Sequence, residues 1–176
     1  MEEIRKSIRT IPDFPKEGIM FRDITTLLNT PKAFKKTMDY FMIRYKGRKI
    51  DKIVGIESRG FIFGGALAYL LGVGFVPIRK KGKLPGDKTS VTYDLEYGTD
   101  TVEVHTDAIS PGENVLVIDD LIATGGTCLA ACQLIENLGG KIVECAFLVD
   151  LPELKGTEKL KNKGYDIFSL VDFEGD

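Results

Sequence analysis

The sequence lacks tryptophan and has one histidine and three cysteines among its 176 residues. An odd number of cysteines argues against a disulfide framework. Cys128 and Cys132 are four residues apart on a predicted helix, whereas Cys145 and the histidine, His105, lie in other segments. A metal site would need two more ligands beside the helical pair. Small buried thiols are therefore the favoured interpretation, and a metal or redox site is the alternative.

An excess of either charge is also absent. Lysine and arginine together number 24 and aspartate and glutamate 26, which leaves a net charge of −2. This balance gives no electrostatic footprint for nucleic acid or for an acidic membrane. We therefore expect any basic patch to be local, and we expect no nucleic-acid or membrane partner.

Targeting signals and long uninterrupted apolar runs are missing as well. The first residues, Met1-Glu2-Glu3, are acidic where a signal peptide carries positive charge, and no apolar stretch follows. The longest apolar run, residues 61–78, is interrupted by glycines and a proline, which predicts a buried helix leading into a strand rather than a membrane span. We expect a cytoplasmic protein with a single domain over residues 1–176.

What the sequence does contain is an alternation of apolar strands and helices. The dominant strand–helix–strand order predicts an α/β fold with a mostly parallel central sheet flanked by helices. Strands are predicted at 52–56, 74–80, 114–119, 141–151 and 165–171, a β-hairpin at 90–109, and helices near 2–9, 31–46, 126–138 and 155–163, with another ending at Gly72. Residues 10–25 read as irregular, residues 81–90 as a mobile loop, and Thr30 as the hydroxyl cap of the helix that Pro31 begins.

The stretch after the strand at 114–119 is built to hold an anion. Ala123-Thr124-Gly125-Gly126-Thr127 supplies backbone N–H groups and hydroxyls where a helix begins. A Walker lysine is absent and the glycine spacing differs from that of a Walker loop. The segment therefore predicts a site for one monophosphate, which we call the cradle (residues 123–127).

Two acids, Asp119 and Asp120, precede the cradle directly. Carboxylates beside a phosphate repel it, so they favour a ligand with hydroxyl donors between the two, such as a ribose 5-phosphate. The alternative is a strand end whose acids only cap the following helix.

Cations follow two other predicted strands. Arg59, Arg79, Lys80, Lys81 and Lys83 exceed what a monophosphate needs, and a pyrophosphate on the other side of the ribose would account for them. Mg²⁺ would help to neutralise that pyrophosphate. For Lys81 and Lys83, a solvated loop is an equally good interpretation.

The segment VLVIDDLIATGGT (115–127) resembles the phosphoribosyl-diphosphate binding motif of the type I phosphoribosyltransferases. The resemblance covers nearly the whole chain and is strongest to the members that act on adenine. Its other parts are IPDFPKEGIMFRDIT (11–25), GIESRGFIFG (55–64), VPIRKKGKLPG (76–86) and YDLEYG (93–98).

This resemblance implies transfer of the 5-phosphoribosyl group from phosphoribosyl diphosphate to adenine, giving AMP and pyrophosphate. It also implies a need for Mg²⁺, a role in purine salvage and a homodimer. The fold it implies is type I phosphoribosyltransferase-like, with a small N-terminal hood from about residues 1–30 and a flexible β-hairpin loop at about 80–105.

The resemblance also assigns roles to residues. The cradle, Ala123, Thr124, Gly125, Gly126 and Thr127, would hold the 5-phosphate, and Asp119 and Asp120 the ribose hydroxyls. Ser58, Arg59, Arg79, Lys80 and Lys83 would meet the pyrophosphate, from this chain or from a dimer partner, with the peptide between Glu57 and Ser58 often cis. No direct metal ligand is expected, because the substrate would carry Mg²⁺.

Adenine would lie near Phe21, read by backbone groups of Met20 and Arg22, with Leu151 closing the other face. Glu96 resembles the residue that handles a proton on the base, with Tyr97 beside it. The catalytic residues expected are thus Glu96, Asp119, Asp120 and Arg59. Without the resemblance, Glu96 reads as an exposed hairpin acid and Phe21 as a core residue.

Two other functions remain as alternatives. A related enzyme could act on another base, but sites for hypoxanthine or guanine carry an acid where this chain has Ala123 and a lysine where it has Gly126. A non-catalytic regulator on the same fold usually carries a DNA-binding domain, for which this chain has no room.

Overall fold

The chain forms two sheets and six α-helices in the parts that the structure, a computed structural model, describes, residues 1–95 and 98–175. The helices are α1 (Glu2–Lys6), α2 (Thr25–Leu28), α3 (Pro31–Tyr45), α4 (Gly60–Leu71), α5 (Gly126–Asn137) and α6 (Gly156–Lys161). The strands are β1 (Arg9–Ile11), β2 (Phe21–Asp23), β3 (Lys52–Ile56), β4 (Gly74–Lys80), β5 (Lys88–Asp94), β6 (Thr99–His105), β7 (Asn114–Ile122), β8 (Lys141–Asp150) and β9 (Ile167–Asp172).

The central sheet has seven strands in the order β5-β6-β4-β3-β7-β8-β9. The five strands from β4 to β9 pair in parallel, and the β5–β6 hairpin joins the β4 edge in antiparallel orientation. This confirms the predicted mostly parallel α/β sheet. The carboxyl ends of β3, β4 and β7 lie side by side, which is where ligands bind in such sheets.

Apolar side chains fill both faces of the sheet. On one face α3 and α4 contribute Phe41, Phe63 and Leu67, all fully buried. On the other face α5 and α6 contribute Leu134 and Leu160, also fully buried. Helices on both faces are the reason that the central strands read as continuous apolar runs.

Several predicted boundaries are confirmed. The strands β3 and β4 have the predicted limits, and α4 ends where Gly72 adopts a left-handed conformation with φ of 69°. On α3, which was predicted near 31–46, Met38 and Phe41 are buried.

Other expectations were wrong in detail. The first helix ends at Lys6, and the supposedly irregular residues 10–25 take part in a small antiparallel sheet of β1 and β2. Thr30 does not cap α3 with its side chain, because its hydroxyl donates to the Thr26 carbonyl at 2.8 Å. A 3₁₀ turn, Pro152–Leu154, precedes the last helix.

The strand β7 is longer than predicted. It continues to Ile122, because Leu121 and Ile122 pair with Val149 and Asp150 of β8. The two acids at 119 and 120 therefore lie within a paired strand, which holds their backbone more firmly than a loop would.

The predicted hairpin is confirmed, with β5 beginning at Lys88 inside the segment expected to be a mobile loop. None of the helices within the described ranges is long and apolar enough to cross a membrane.

Candidate active site

Two cavities meet at the carboxyl ends of β3, β4 and β7. The smaller, of about 110 Å³, is surrounded by the cradle, and the larger, of about 470 Å³, by Glu57, Ser58, Arg59, Lys80 and the two acids. Asp119, Leu121 and Thr127 line both cavities. A ligand can therefore extend from the cradle past the acids to the cations.

The cradle is a sharp turn into a helix. Gly125 has φ of 75° and α5 begins at the next residue, so the first N–H groups of the helix are left for a ligand. The turn is packed against α6: a Cβ on Gly156 would lie 2.2 Å from the Ala123 carbonyl oxygen and 2.8 Å from the Gly125 nitrogen. Gly156 thus fixes the cradle's shape, a role that sequence reasoning missed because the two segments are thirty residues apart.

The acids of β7 lie between the cradle and the cations. Asp120 is 5% exposed, and the Asp119 carboxylate accepts a hydrogen bond from the Asp120 backbone N–H at 2.9 Å. The start of α4 passes so close that a Cβ on Gly60 would lie 2.7 Å from Asp119 Oδ1. Close helix packing therefore holds the Asp119 side chain in place.

The surroundings of Asp119 and Asp120 disfavour the ionised form of both carboxyl groups. Burial and the neighbouring Asp120 charge raise the pKa of Asp119. Burial also raises the pKa of Asp120, against the opposing effect of the Arg59 guanidinium. Hydroxyl donors or positive charge arriving beside these carboxylates would relieve that cost.

Arg59 spans the larger cavity. Its Nε lies 2.8 Å from Asp120 Oδ2, and its guanidinium carbon lies 5.8 Å from the centre of the Phe21 ring. It therefore connects the acids to the β2 segment.

The Glu57 carboxylate binds the cations of β4 and of the loop that follows it. It accepts hydrogen bonds from Lys83 Nζ at 2.8 Å, the Lys80 backbone N–H at 2.9 Å and Arg79 Nε at 3.3 Å. Burial alone would raise the pKa of Glu57, but these donors lower it overall. Sequence analysis gave Glu57 no role, because the cations that it binds are more than twenty residues away.

Lys80 and the hairpin are joined to the cradle by a hydroxyl network. Lys80 Nζ donates to Tyr93 Oη at 3.0 Å and also contacts the Asp100 carboxylate. The Tyr93 hydroxyl in turn lies 2.9 Å from Thr127 Oγ1. Tyr93 and Asp100 are cross-strand partners in the hairpin, so this pair is a second feature that the sequence pattern did not reveal.

The four residues expected near a base do not line either of these cavities. Phe21 packs edge-on against Phe14, with ring centroids 5.1 Å apart, and its ring centre lies 5.8 Å from the guanidinium carbon of Arg59. Arg22 is buried, donates to Thr10 Oγ1 at 2.9 Å and lies over the Phe173 ring. Met20 is partly exposed, whereas Leu151 is buried in the core beneath α3 and α4.

The other predicted site residues are those for the pyrophosphate and the proton-handling Glu96. Ser58 and Lys80 line the larger cavity, and the peptide between Glu57 and Ser58 is cis. Arg79 and Lys83 reach that edge through Glu57. The predicted Glu96 and its neighbour Tyr97 lie outside the described residues.

Comparison with known proteins agrees with this geometry. A family described as "phosphoribosyl transferase domain" matches residues 23–175. An adenine phosphoribosyltransferase of Methylobacillus flagellatus is 63% identical over 171 residues, which are 97% of this chain and 97% of that protein.

Solved structures give the same result. Adenine phosphoribosyltransferase from Thermoanaerobacter pseudethanolicus superposes with a TM-score of 0.93 at 52% identity, covering 98% of this chain and 99% of the other. The enzyme from Saccharomyces cerevisiae, solved with an imino-altritol bisphosphate and adenine, superposes with a TM-score of 0.91 at 44% identity over 96% and 97% of the two chains. The chain therefore belongs to the phosphoribosyltransferase family and, within it, to the adenine phosphoribosyltransferases.

Proposed function

We propose that this protein transfers the 5-phosphoribosyl group of phosphoribosyl diphosphate to adenine and releases AMP and pyrophosphate in purine salvage. The observation that carries the proposal is the order of groups along the two joined cavities. A helix-terminal cradle, a pair of acids and a group of cations follow one another, which matches phosphate, ribose and pyrophosphate in the donor.

The sugar–phosphate part is assigned to β7 and α5. Ala123, Thr124, Gly125, Gly126 and Thr127 would bind the 5-phosphate through backbone N–H groups and two hydroxyls. Asp119 and Asp120 would accept hydrogen bonds from the ribose hydroxyls. Their negative charge would also favour the positive charge that develops on the ribose ring as pyrophosphate leaves.

The pyrophosphate part is assigned to Ser58, Arg59, Arg79, Lys80 and Lys83. All four of these cations are paired with carboxylates: Arg59 with Asp120, Arg79 and Lys83 with Glu57, and Lys80 with Asp100. Binding of the donor would exchange these pairs for phosphate oxygens, and the released acids would face the ribose or solvent. The same cations would then stabilise the charge on the leaving pyrophosphate.

The base would enter from the side of the small β1–β2 sheet. Phe21 is supported as a stacking surface by its contact with Arg59, which also touches Asp120. Backbone groups of Met20 and Arg22 would read the edge of adenine. Leu151 would bear on the site from the core, and Glu96 would handle the proton on the base.

We further propose that Mg²⁺ enters with phosphoribosyl diphosphate rather than on dedicated protein ligands. The site is compatible with an ion that the substrate carries, because the carboxylates of Asp119 and Asp120 line the same cavity and are oxygen groups that suit a hard cation and its bound water. Among the described residues, Asp120 Oδ2 is contacted only by Arg59, as an ion pair. When bound, the ion would neutralise charge on the pyrophosphate.

A cytoplasmic homodimer completes the proposal, with residues 1–176 as one domain, a hood near 1–30 and a flexible loop near 80–105. The dimer is supported by apolar side chains that α4 leaves in solvent: Tyr69 is 86% exposed, and Ile62 and Leu70 are also exposed. Sedimentation of a Tyr69→Asp variant should show monomers. The matched variant Ile43→Asp, which changes an exposed position on α3, should remain dimeric.

Turnover of purified protein tests the function. With phosphoribosyl diphosphate, adenine and Mg²⁺ we expect AMP and pyrophosphate in equal amounts. The double variant Asp119→Asn, Asp120→Asn should lose most of this activity and keep its circular dichroism spectrum. Normal turnover by that variant would remove the ribose assignment.

A further inference from the structure

The fold assembles all three cysteines of the chain beside the cradle. Cys128 and Cys132 lie on successive turns of α5, and Cys145 lies on β8, which pairs with β7. Their sulfur atoms all lie within 4.8 Å of one another, and Cys132 Sγ is 3.5 Å from Cys145 Sγ. All three are buried free thiols, and the activity proposed above uses none of them.

We propose that these three thiols form a binding site for one soft, thiophilic metal ion, with Cu(I) as the best-fitting occupant. A metal–sulfur bond of about 2.3 Å in a trigonal site places the sulfur atoms about 4.0 Å apart. The Cys132–Cys145 separation of 3.5 Å and the upper bound of 4.8 Å for all three pairs lie on either side of that value. The ion would take the place of the thiol protons, so no separate cavity is needed.

The ligand set selects the kind of ion. Within the described residues, no histidine or carboxylate joins the cluster. A structural Zn²⁺ site normally has four ligands, whereas Cu(I) is soft, prefers sulfur and accepts three-coordination. Each thiol that becomes a ligand releases one proton to solvent, and no electron is transferred, so binding requires no oxidant.

Electrostatics around the cluster act in both directions. Cys128 is the third residue of α5, where the positive end of the helix favours a thiolate, but burial of all three thiols opposes their ionisation. An ion that displaces the buried thiol protons must therefore form strong bonds to sulfur, as soft thiophilic ions do.

A route to the cluster also exists. Cys128 follows Thr127 and lines the cradle cavity, so an ion can reach the first thiol from the site itself. The site depends on the three sulfur positions, so Cu(I) binding is independent of whether the enzyme acts on adenine.

The test is a metal-transfer titration. Reduced wild-type protein, kept free of oxygen, is titrated against Cu(I) held by a coloured chelator, while the near-ultraviolet thiolate-to-copper absorption and the far-ultraviolet circular dichroism are recorded. We expect one Cu(I) per chain, the charge-transfer band and an unchanged fold. Since the chain has only three cysteines, that band can arise only from this cluster.

Single variants then test the number of ligands. Cys128→Ser, Cys132→Ser and Cys145→Ser should each abolish stoichiometric transfer from the chelator. The proposal is overturned if wild type fails to remove Cu(I) from the chelator, if it binds only as its helical signal is lost, or if any one of these variants binds as the wild type does. The wild-type stoichiometry decides the matter even where a variant fails to fold.

Discussion

Replacing Gly156 by alanine is expected to damage the cradle from behind. The added methyl group would lie 2.2 Å from the Ala123 carbonyl oxygen, 2.8 Å from the Gly125 nitrogen and 2.8 Å from Ile122 Cγ1. Two of these three atoms belong to the backbone, so the clash cannot be relieved by a side-chain rotation. The turn that is proposed to hold the 5-phosphate must move instead.

The magnitude follows from this crowding. Overpacking a well-filled site costs about 1–3 kcal/mol, and backbone contacts on two sides place this substitution in the upper half of that range. If the phosphate requires the original turn, a cost of about 2–3 kcal/mol raises the KM for phosphoribosyl diphosphate on the order of 30- to 150-fold. The KM for adenine should change far less, because the base is proposed to bind near Phe21 and away from the cradle.

A matched control is Gly74→Ala on β4. Its methyl group would meet only the Lys52 side chain, at an ordinary 3.6 Å, so its stability should stay within about 0.5 kcal/mol of wild type. Initial rates with each substrate varied in turn, together with urea unfolding, separate binding from stability. The reasoning is refuted if Gly156→Ala keeps the control's KM for phosphoribosyl diphosphate.

Three further predictions concern charge and the hairpin. Asp119→Asn should raise the thermal unfolding temperature of the substrate-free protein, because it removes a buried carboxylate that is costly to ionise. The same change should lower turnover. A lower unfolding temperature would contradict this prediction. Tyr93→Phe removes the hydroxyl beside Thr127 and should lower kcat/KM for phosphoribosyl diphosphate about 3- to 30-fold. The control is Tyr165→Phe, which removes a hydroxyl that donates to Glu136 and should leave kcat/KM unchanged in the same assay. Hydrogen bonds from Thr25 and Arg9 lower the pKa of Asp23 from 3.8 to about 2. The stability that Asp23 contributes should therefore be complete above about pH 4 and should fade as the pH drops toward about 2. Unfolding of wild type and of Asp23→Ala across that range measures this contribution, and a difference in stability that does not change with pH would contradict it.

Local patterns predicted the central strands well. β3 is a short β-branched run that is buried from Ile53 to Ile56, whereas β4 buries the alternate residues Val76 and Ile78. Both patterns are local signals of a strand. The end of α4 at Gly72 was equally predictable, because a left-handed cap favours glycine.

Features that depend on distant segments were not predictable in the same way. β7 extends through its acids because β8 continues to pair with it. Parts of residues 10–25 are strands because β1 and β2 pair with each other across the segment 12–20. Neither pairing leaves a periodic signal in the segment itself, since the partner supplies the hydrogen bonds.

In the candidate site, too, contiguous residues were predictable and contacts between distant segments were not. The motif from Asp119 to Thr127 identified the cradle and the acids, because they are contiguous in sequence. The contacts of Glu57 with Lys83, of Tyr93 with Thr127, and among the three cysteines join residues from different elements. Only the sheet order brings these groups together, so residue spacing along the chain could not indicate them.

The central claim is that the site builds a nucleotide from adenine. Its most direct test is to supply phosphoribosyl diphosphate and Mg²⁺ with adenine, hypoxanthine, guanine, xanthine or orotate in separate reactions and to measure nucleotide formation. We predict AMP from adenine and no product from the other four bases. Turnover of another base in preference to adenine would contradict the assignment of the base pocket, and donor binding without turnover of any base would contradict the enzymatic function itself.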